Sequence, residues 1–197
     1  MQKNSEVIDF QKKDIRLFVA TPVHSDVTIH YMQSVIKLQT MCHQKNVSFT
    51  LQLMKSSLVT QGRNLCVAQF LDSDFTHLLF IDSDILFSAD SIFKMTILEA
   101  STSGNMFPVR IKDQEHDIKV DNEMIELSHT PTGCLMLQRS VLEKMIKHYP
   151  ELNIRQETVV DGEKVLKPNL YNFFDTYYDK ETKRYYGEDF AFSRLWN

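Results

Sequence analysis

Asp82-Ser83-Asp84 places two carboxylates two positions apart, directly after the apolar run His77-Leu78-Leu79-Phe80-Ile81. Residues i and i+2 of an extended chain face the same way, so the spacing predicts that Asp82 and Asp84 address one point if the strand persists past Ile81. Two hard carboxylate oxygens are ligands for Mg²⁺ or Mn²⁺. Such cations keep several waters and take further ligands from a substrate's phosphates. Without a cation the two carboxylates repel each other and lose solvation at the end of a buried strand. The plainer reading is turn chemistry, for which Asp and Ser are common choices. A second acidic pair, Glu188-Asp189, follows Gly187. There the glycine permits a sharp turn, and a helix dipole favours the anions in its first turn. These residues serve equally as a proton acceptor or as ordinary helix-start residues.

Other chemistries that use paired aspartates fit less well. A haloacid-dehalogenase-type phosphatase carries its pair on the first strand, followed by Gly-Thr or similar, whereas Ile85-Leu86 follow here. An EF-hand loop needs more oxygen ligands, a central Gly and a late Glu, and Leu86 and Phe87 interrupt it. A dinucleotide site needs a Gly-rich first turn. The first strand ends instead in Thr21-Pro22-Val23-His24, and the chain has only 5 glycines.

The elements that must carry these groups alternate. Ile15 to Thr21 reads as a buried strand stopped by Pro22. Ser25 or Asp26 is the expected cap of a helix with Ile29, Met32, Val35 and Ile36 on its apolar face. Val47 to Met54 alternates as a strand. Arg63 to Leu71 reads as a helix presenting Leu65, Ala68 and Leu71. Thr76 to Ile81 is a third strand, Ser88 to Ala100 a helix with Ile92, Met95 and Leu98, and Asn105 to Val109 a short strand. This order predicts an α/β fold, a Rossmann-like, mostly parallel sheet with helices on both faces. The second half is mixed and antiparallel in character. A hairpin turns at Asp121-Asn122, Thr132 to Leu137 leads into a helix at Ser140 to His148, and an aromatic-rich hairpin spans Tyr171 to Tyr186. A last helix covers Glu188 to Trp196. Residues 1–197 therefore read as one domain, with a nucleotide-binding half to about residue 110 and an acceptor-side half after it.

Composition fits that frame. A 43% hydrophobic share and 24% charged residues suit a globular chain with a sizeable core. With 22 basic against 26 acidic residues and a net charge of −4, nucleic acid is not the expected partner. Cys42, Cys66 and Cys134 are scattered without CxxC spacing, which argues against disulfides or a zinc cage and suits a reducing, cytoplasmic compartment. Their plain reading is small core hydrophobes. No apolar run reaches the roughly 18 residues of a membrane span, and Met1 to Glu6 is too polar for a signal core. A soluble chain is expected, ending after an amphipathic segment as a domain of a longer protein does.

Taken in order, Thr21-Pro22, Gly62-Arg63-Asn64, Asp82-Ser83-Asp84, Thr132-Gly133 and Gly187-Glu188-Asp189-Phe190 resemble the GT-A superfamily of glycosyltransferases over nearly the whole chain. They look like the glycosyltransferase domain of a chlorovirus protein, which would place a viral chain in the host cytoplasm. The resemblance implies that Thr21, Pro22, Val23 and His24 cradle the base and ribose of a nucleotide-sugar donor. It assigns Arg63 to the nucleotide, a role that suits a guanidinium. Asp82 and Ser83 with Asp84 then form the DxD motif, Asp82 reaching the ribose or the metal and Asp84 binding Mn²⁺ or Mg²⁺ directly. The histidine ligand that many such enzymes carry near the C-terminal end has no counterpart after His148; water, diphosphate or Asp175 would complete the shell.

Asp189 matches the base of inverting members, with Glu188 the second choice. Thr132 and Gly133 fall where donor sugar meets acceptor, because a glycine allows close backbone approach. Tyr171, Phe173, Phe174, Tyr177 and Tyr178 read either as hairpin core or as a stacking surface for an acceptor sugar. The implied activity is hexosyl transfer from a donor, by family habit a UDP-hexose, to a carbohydrate hydroxyl with inversion. A sugar-1-phosphate nucleotidyltransferase is the alternative enzyme, although it normally shows a Gly-rich basic loop after its first strand. A carbohydrate-binding domain with a vestigial site is the non-catalytic one.

Overall fold

The computed structural model describes residues 14–99, 129–155, 157–160 and 162–196. The expected strand at Asn105 to Val109 and the hairpin about Asp121-Asn122 lie outside the described residues.

A four-stranded sheet in the order β2-β1-β3-β4 is built from β1 (Arg16–Val23), β2 (Ser48–Lys55), β3 (His77–Ile81) and β4 (Cys134–Gln138). The first three strands are parallel and β4 runs antiparallel to β3, with Leu79 opposite Met136. Alternation along the buried strands divides the core in two. Leu17, Val19, Leu79, Ile81 and Met136 face one side, where they meet α1 (Ile29–Gln44) and α3 (Ala89–Glu99). Phe18, Ala20, Leu78, Phe80, Leu135 and Leu137 face the other, covered by α2 (Val59–Leu71), α4 (Arg139–His148) and α5 (Glu188–Trp196). Strands buried on both faces read as continuous apolar runs, which is why IRLFVAT and HLLFI are legible as strands.

Two small antiparallel hairpins complete the described chain. They are β5 (Glu157–Val160) with β6 (Glu163–Leu166), and β7 (Tyr177–Asp179) with β8 (Arg184–Tyr186). The β5–β6 hairpin has no counterpart in the sequence expectations.

Several boundaries move for physical reasons. β1 does not stop at Pro22. It continues to Val23 beside β2 after its pairing with β3 has ended at Ala20, so Pro22 occupies an edge-like position where a missing N–H is tolerated. The cap of α1 is Thr28, whose hydroxyl accepts from Tyr31 N, rather than Ser25 or Asp26. The buried face of α1 is Tyr31, Val35, Leu38 and Cys42, while Ile29 and Ile36 face solvent. Tyr31 can be buried because its hydroxyl finds the Thr21 hydroxyl.

The second helix begins four residues earlier than expected, at Val59, so Gly62 and Arg63 lie within it rather than opening it. It is buried on nearly all sides, from Gly62 through Ala68, and such a helix has no polar face to reveal its start. A Cβ on Gly62 would lie 3.3 Å from Ser56 Cβ and 3.5 Å from Pro22 Cβ, so the glycine lets α2 approach the end of β1.

Candidate functional site

In an open α/β sheet, ligands settle at the carboxyl ends of the strands, where the strand order reverses. Here β1 leads to β2 on one side and the chain returns to β3 on the other. Pairing between β1 and β3 stops at Ala20 and Phe80, so Thr21–Val23 and Ile81–Asp82 no longer pair with each other beyond that point.

Arg63 organises the groups beside it. Its side chain is only 2% exposed. Nη2 donates to Asp82 Oδ1 at 2.8 Å and Nη1 to the carbonyl of Thr132 at 3.3 Å. Nε lies 3.5 Å from Glu188 Oε1, an ion pair without hydrogen-bond geometry. The guanidinium also sits over the Phe80 ring, 5.3 Å from its centroid. A buried cation needs compensating partners, and Arg63 takes them from three separate segments of chain. Glu188 additionally accepts a long hydrogen bond, 3.5 Å, from the Thr132 hydroxyl. Asp82 and Glu188 remain 36% and 19% exposed, so both carboxylates reach solvent while the cation between them does not.

The acidic triplet is a turn, not an extension of β3. Asp82 O accepts from Ile85 N at 3.1 Å, and Asp82 N donates to Gly133 O at 2.9 Å. The expectation that strand alternation aligns Asp82 with Asp84 is therefore overturned. The chain leaves the sheet at Asp82, and strand parity no longer relates the two side chains. The start of α1 holds the turn instead. Thr28 donates to Ser83 O through its amide at 3.0 Å and its hydroxyl at 3.1 Å, and His30 Nε2 donates to Asp84 O at 2.7 Å. Asp84 itself is exposed. A Cβ on Gly133 would come within 3.3 Å of Asp82 Oδ2 and 3.1 Å of Ile85 Cδ1. Only a glycine leaves that second carboxylate oxygen its space.

The remaining expected residues divide. Pro22 lies beside Gly62, and His24 is exposed just beyond β1. Val23 and Thr21 are buried, and the Thr21 hydroxyl is taken by Tyr31. Asp189 turns Oδ1 back onto Phe190 N at 2.7 Å, within the start of α5, whereas Glu188 points to Arg63 and Thr132. Asp175 is bound by Asn172 Nδ2 and Thr176 N, both at 2.7 Å. Phe173 and Phe174 are core, with Phe174 stacked on Phe192 at 4.5 Å, while Tyr177 and Tyr178 are exposed.

The sequence did not point to His30, and it gave Asn64 no role of its own within Gly62-Arg63-Asn64. Asn64, next to Arg63, accepts from Phe174 N at 2.9 Å and donates to Phe174 O at 3.1 Å. This clamps the 172–174 segment to α2. Its burial beside Arg63 is the signal, visible only in three dimensions.

For a hard divalent cation the donor set is oxygen: the free Oδ2 of Asp82, Asp84 and the Ser83 hydroxyl. Among the described residues no cluster of three or more His, Cys, Asp or Glu side chains gathers in one place. Oxygen donors of this type suit a cation that brings phosphate and water ligands with it, and they form no closed protein cage. Burial and then the Asp82 charge push the neighbouring Cys134 thiol up to about 11.

No protein-family model and no curated protein matches the chain. Similar solved structures include two whose names refer to STIV and PBCV-1. One is A197 from STIV, with a TM-score of 0.39 and 16% identity over 66% of this chain and 68% of that one. The other is a glycosyltransferase involved in the glycosylation of the major capsid of PBCV-1, with a TM-score of 0.38 and 13% identity over 68% of this chain and 66% of that one.

Proposed function

We propose that the chain is a metal-dependent glycosyltransferase that moves a sugar from a nucleotide-sugar donor, by family habit a UDP-hexose, to a carbohydrate hydroxyl with inversion. The observation that carries this reading is the convergence on buried Arg63 of Asp82, Thr132 and Glu188 at the carboxyl end of β3. The Asp82 and Glu188 carboxylates are thereby held about one fixed positive charge, which supports a donor site there.

Asp84 and the free oxygen of Asp82 would hold Mn²⁺ or Mg²⁺. The cation's contribution would be Lewis-acid neutralisation of the diphosphate leaving group. Arg63 fixes Asp82 by occupying Oδ1, which leaves Oδ2, beside Gly133, for a cation. By the resemblance Pro22, His24 and Ser83 would take base and ribose, whereas the space beside Gly133 is filled by Asp82 Oδ2 and Ile85.

The acceptor hydroxyl oxygen forms the new bond to the anomeric carbon, and the bond from that carbon to the diphosphate breaks. The electron pair leaves with the nucleoside diphosphate, and the hydroxyl proton passes to a carboxylate. The pointing of Glu188 toward Thr132 and Arg63 supports Glu188 in that role. It leaves Asp189, the first choice by resemblance, as the anion of the α5 start.

The experiment is thermal stabilisation by UDP and UDP-sugars with and without Mn²⁺. A ligand at 100 times its Kd adds about 2.7 kcal/mol. Stabilisation that depends on metal and is lost in Asp84→Asn is expected. If neither UDP, GDP nor their sugars raise the melting temperature with metal present, the reading fails. Glu188→Gln should keep donor binding and lose transfer. Product with retained stereochemistry would remove the base role altogether.

A further inference from the structure

We propose that His30 is a positioning residue for the metal site: it holds the backbone of the acidic turn from α1 and so fixes how Asp84 presents its carboxylate to a divalent cation. The role rests on the metal-dependent reading above, and it adds a residue that neither the acidic triplet nor the resemblance names.

Asp84 stands between two planar peptide units, and the direction of its side chain follows from how those units lie. The unit before it carries the Ser83 carbonyl, which accepts from the Thr28 amide at 3.0 Å and the Thr28 hydroxyl at 3.1 Å. The unit after it carries the Asp84 carbonyl and the Ile85 amide. That amide donates to Asp82 O at 3.1 Å, inside the turn, and the carbonyl accepts from His30 Nε2 at 2.7 Å. The His30 bond is therefore the tie that joins the second unit to α1. Without it that unit is held by the turn's own bond, which moves with the turn. Asp84 is exposed, and an exposed residue so released samples several backbone wells. A bound cation must then offset the ordering of its ligand.

The ring is oriented by its surroundings. A carbonyl oxygen only accepts, so the contact with Asp84 requires the hydrogen on Nε2. Nε2 also lies 3.1 Å from the Thr28 hydroxyl, whose own hydrogen goes to Ser83 O. One turn further along α1, the Ser34 hydroxyl donates to His30 O at 3.0 Å and accepts from Phe87 N at 3.3 Å. Helix α1 thus meets the segment at Ser83, Asp84 and Phe87. Asp82 is fixed through its side chain, by Arg63 on Oδ1. Asp84 is fixed through its backbone, by Thr28 and His30.

The test is titration of the whole chain with Mn²⁺, following loss of the free-ion EPR signal, in the parent and in variants of His30. The side chain is exposed, so its replacement keeps the fold. His30→Ala removes the donor and should weaken Mn²⁺ about tenfold, the size usual for groups that orient a metal ligand. His30→Gln carries an amide N–H where Nε2 stood and should restore the affinity, whereas His30→Asn is too short and should behave like the alanine variant. Thr40→Val removes an exposed bond of the same helix, to Ile36 O at 2.8 Å, and should bind as the parent does. In transfer assays, His30→Ala should raise the Mn²⁺ concentration for half-maximal rate by the same factor and leave the rate at saturating Mn²⁺ unchanged.

A His30→Ala protein that binds Mn²⁺ as the parent does would overturn the role. So would failure of His30→Gln to restore binding, or equal weakening in Thr40→Val. A parent that binds no Mn²⁺ removes the role together with metal-dependent transfer. A parent that binds Mn²⁺ but no nucleotide removes transfer alone, and the Mn²⁺ comparison still decides the role of His30.

Discussion

Removing either end of the Arg63–Asp82 pair should cost different amounts, and the asymmetry follows from burial. Asp82→Asn leaves a guanidinium that is 2% exposed with a neutral amide oxygen in place of its carboxylate partner, one long carbonyl bond and Glu188 at 3.5 Å. Stranding a fully buried charge costs about 3–5 kcal/mol. Because Glu188 remains beside it, the lower end, about 3 kcal/mol, is expected. Arg63→Met leaves carboxylates that are 36% and 19% exposed; water solvates them in part, and a loss of about 2 kcal/mol follows.

Each kilocalorie corresponds to about 2–4 °C in a chain of this size, so Asp82→Asn should lower the melting temperature by about 6–12 °C. The double variant Arg63→Met/Asp82→Asn removes the stranded charge, and its loss should fall short of the sum of the singles by about 2 kcal/mol. Urea denaturation of the four proteins measures the cycle. Additivity within about 0.5 kcal/mol, or Arg63→Met being the costlier single change, would refute the reasoning that Asp82 is the main partner of the buried cation.

Gly133→Ala should leave the fold nearly intact but push on Asp82 Oδ2 and Ile85, weakening metal-dependent nucleotide binding more than stability; calorimetric titration of UDP with Mn²⁺ reads the difference. His77 contributes a pH dependence of known sign. Its folded pKa of about 4 lies below the usual value for an unfolded chain, so the unfolded state binds the extra proton and stability is lost as pH falls from about 6.5 to 4. The loss is on the order of 3 kcal/mol, and denaturation of His77→Leu over that range should show it flattened. Burial holds the Cys42 and Cys66 thiols near 12, and burial with the Asp82 charge holds Cys134 near 11. All three should alkylate slowly at neutral pH, and Mn²⁺ should accelerate Cys134 by screening Asp82; mass spectrometry of the modified sites gives the answer.

The sheet and the order of its elements were legible in the sequence because their signals are local. Strands buried on both faces are continuous apolar runs, and HLLFI and the start of β1 needed no partner to be read. The same holds for α5, whose acidic first turn follows a glycine. Helix α2 and the apolar face of α1 were misplaced for the opposite reason. An all-round buried helix shows no periodic edge, and Tyr31 or Ser34 enters a core only when a partner such as Thr21 or the His30 carbonyl accepts its hydroxyl.

The acidic triplet was visible as chemistry but not as geometry. Whether Asp82 and Asp84 extend the strand or turn away from it is decided by Gly133, Thr28 and His30, which belong to other segments. Sequence alone therefore determined the layers and named most of the ionisable residues of the site. Tertiary structure alone decided that one buried guanidinium joins Asp82, Thr132 and Glu188, and that Glu188 rather than Asp189 faces them. A charge without water must collect its partners wherever the fold brings them, and no spacing along the chain records where that is.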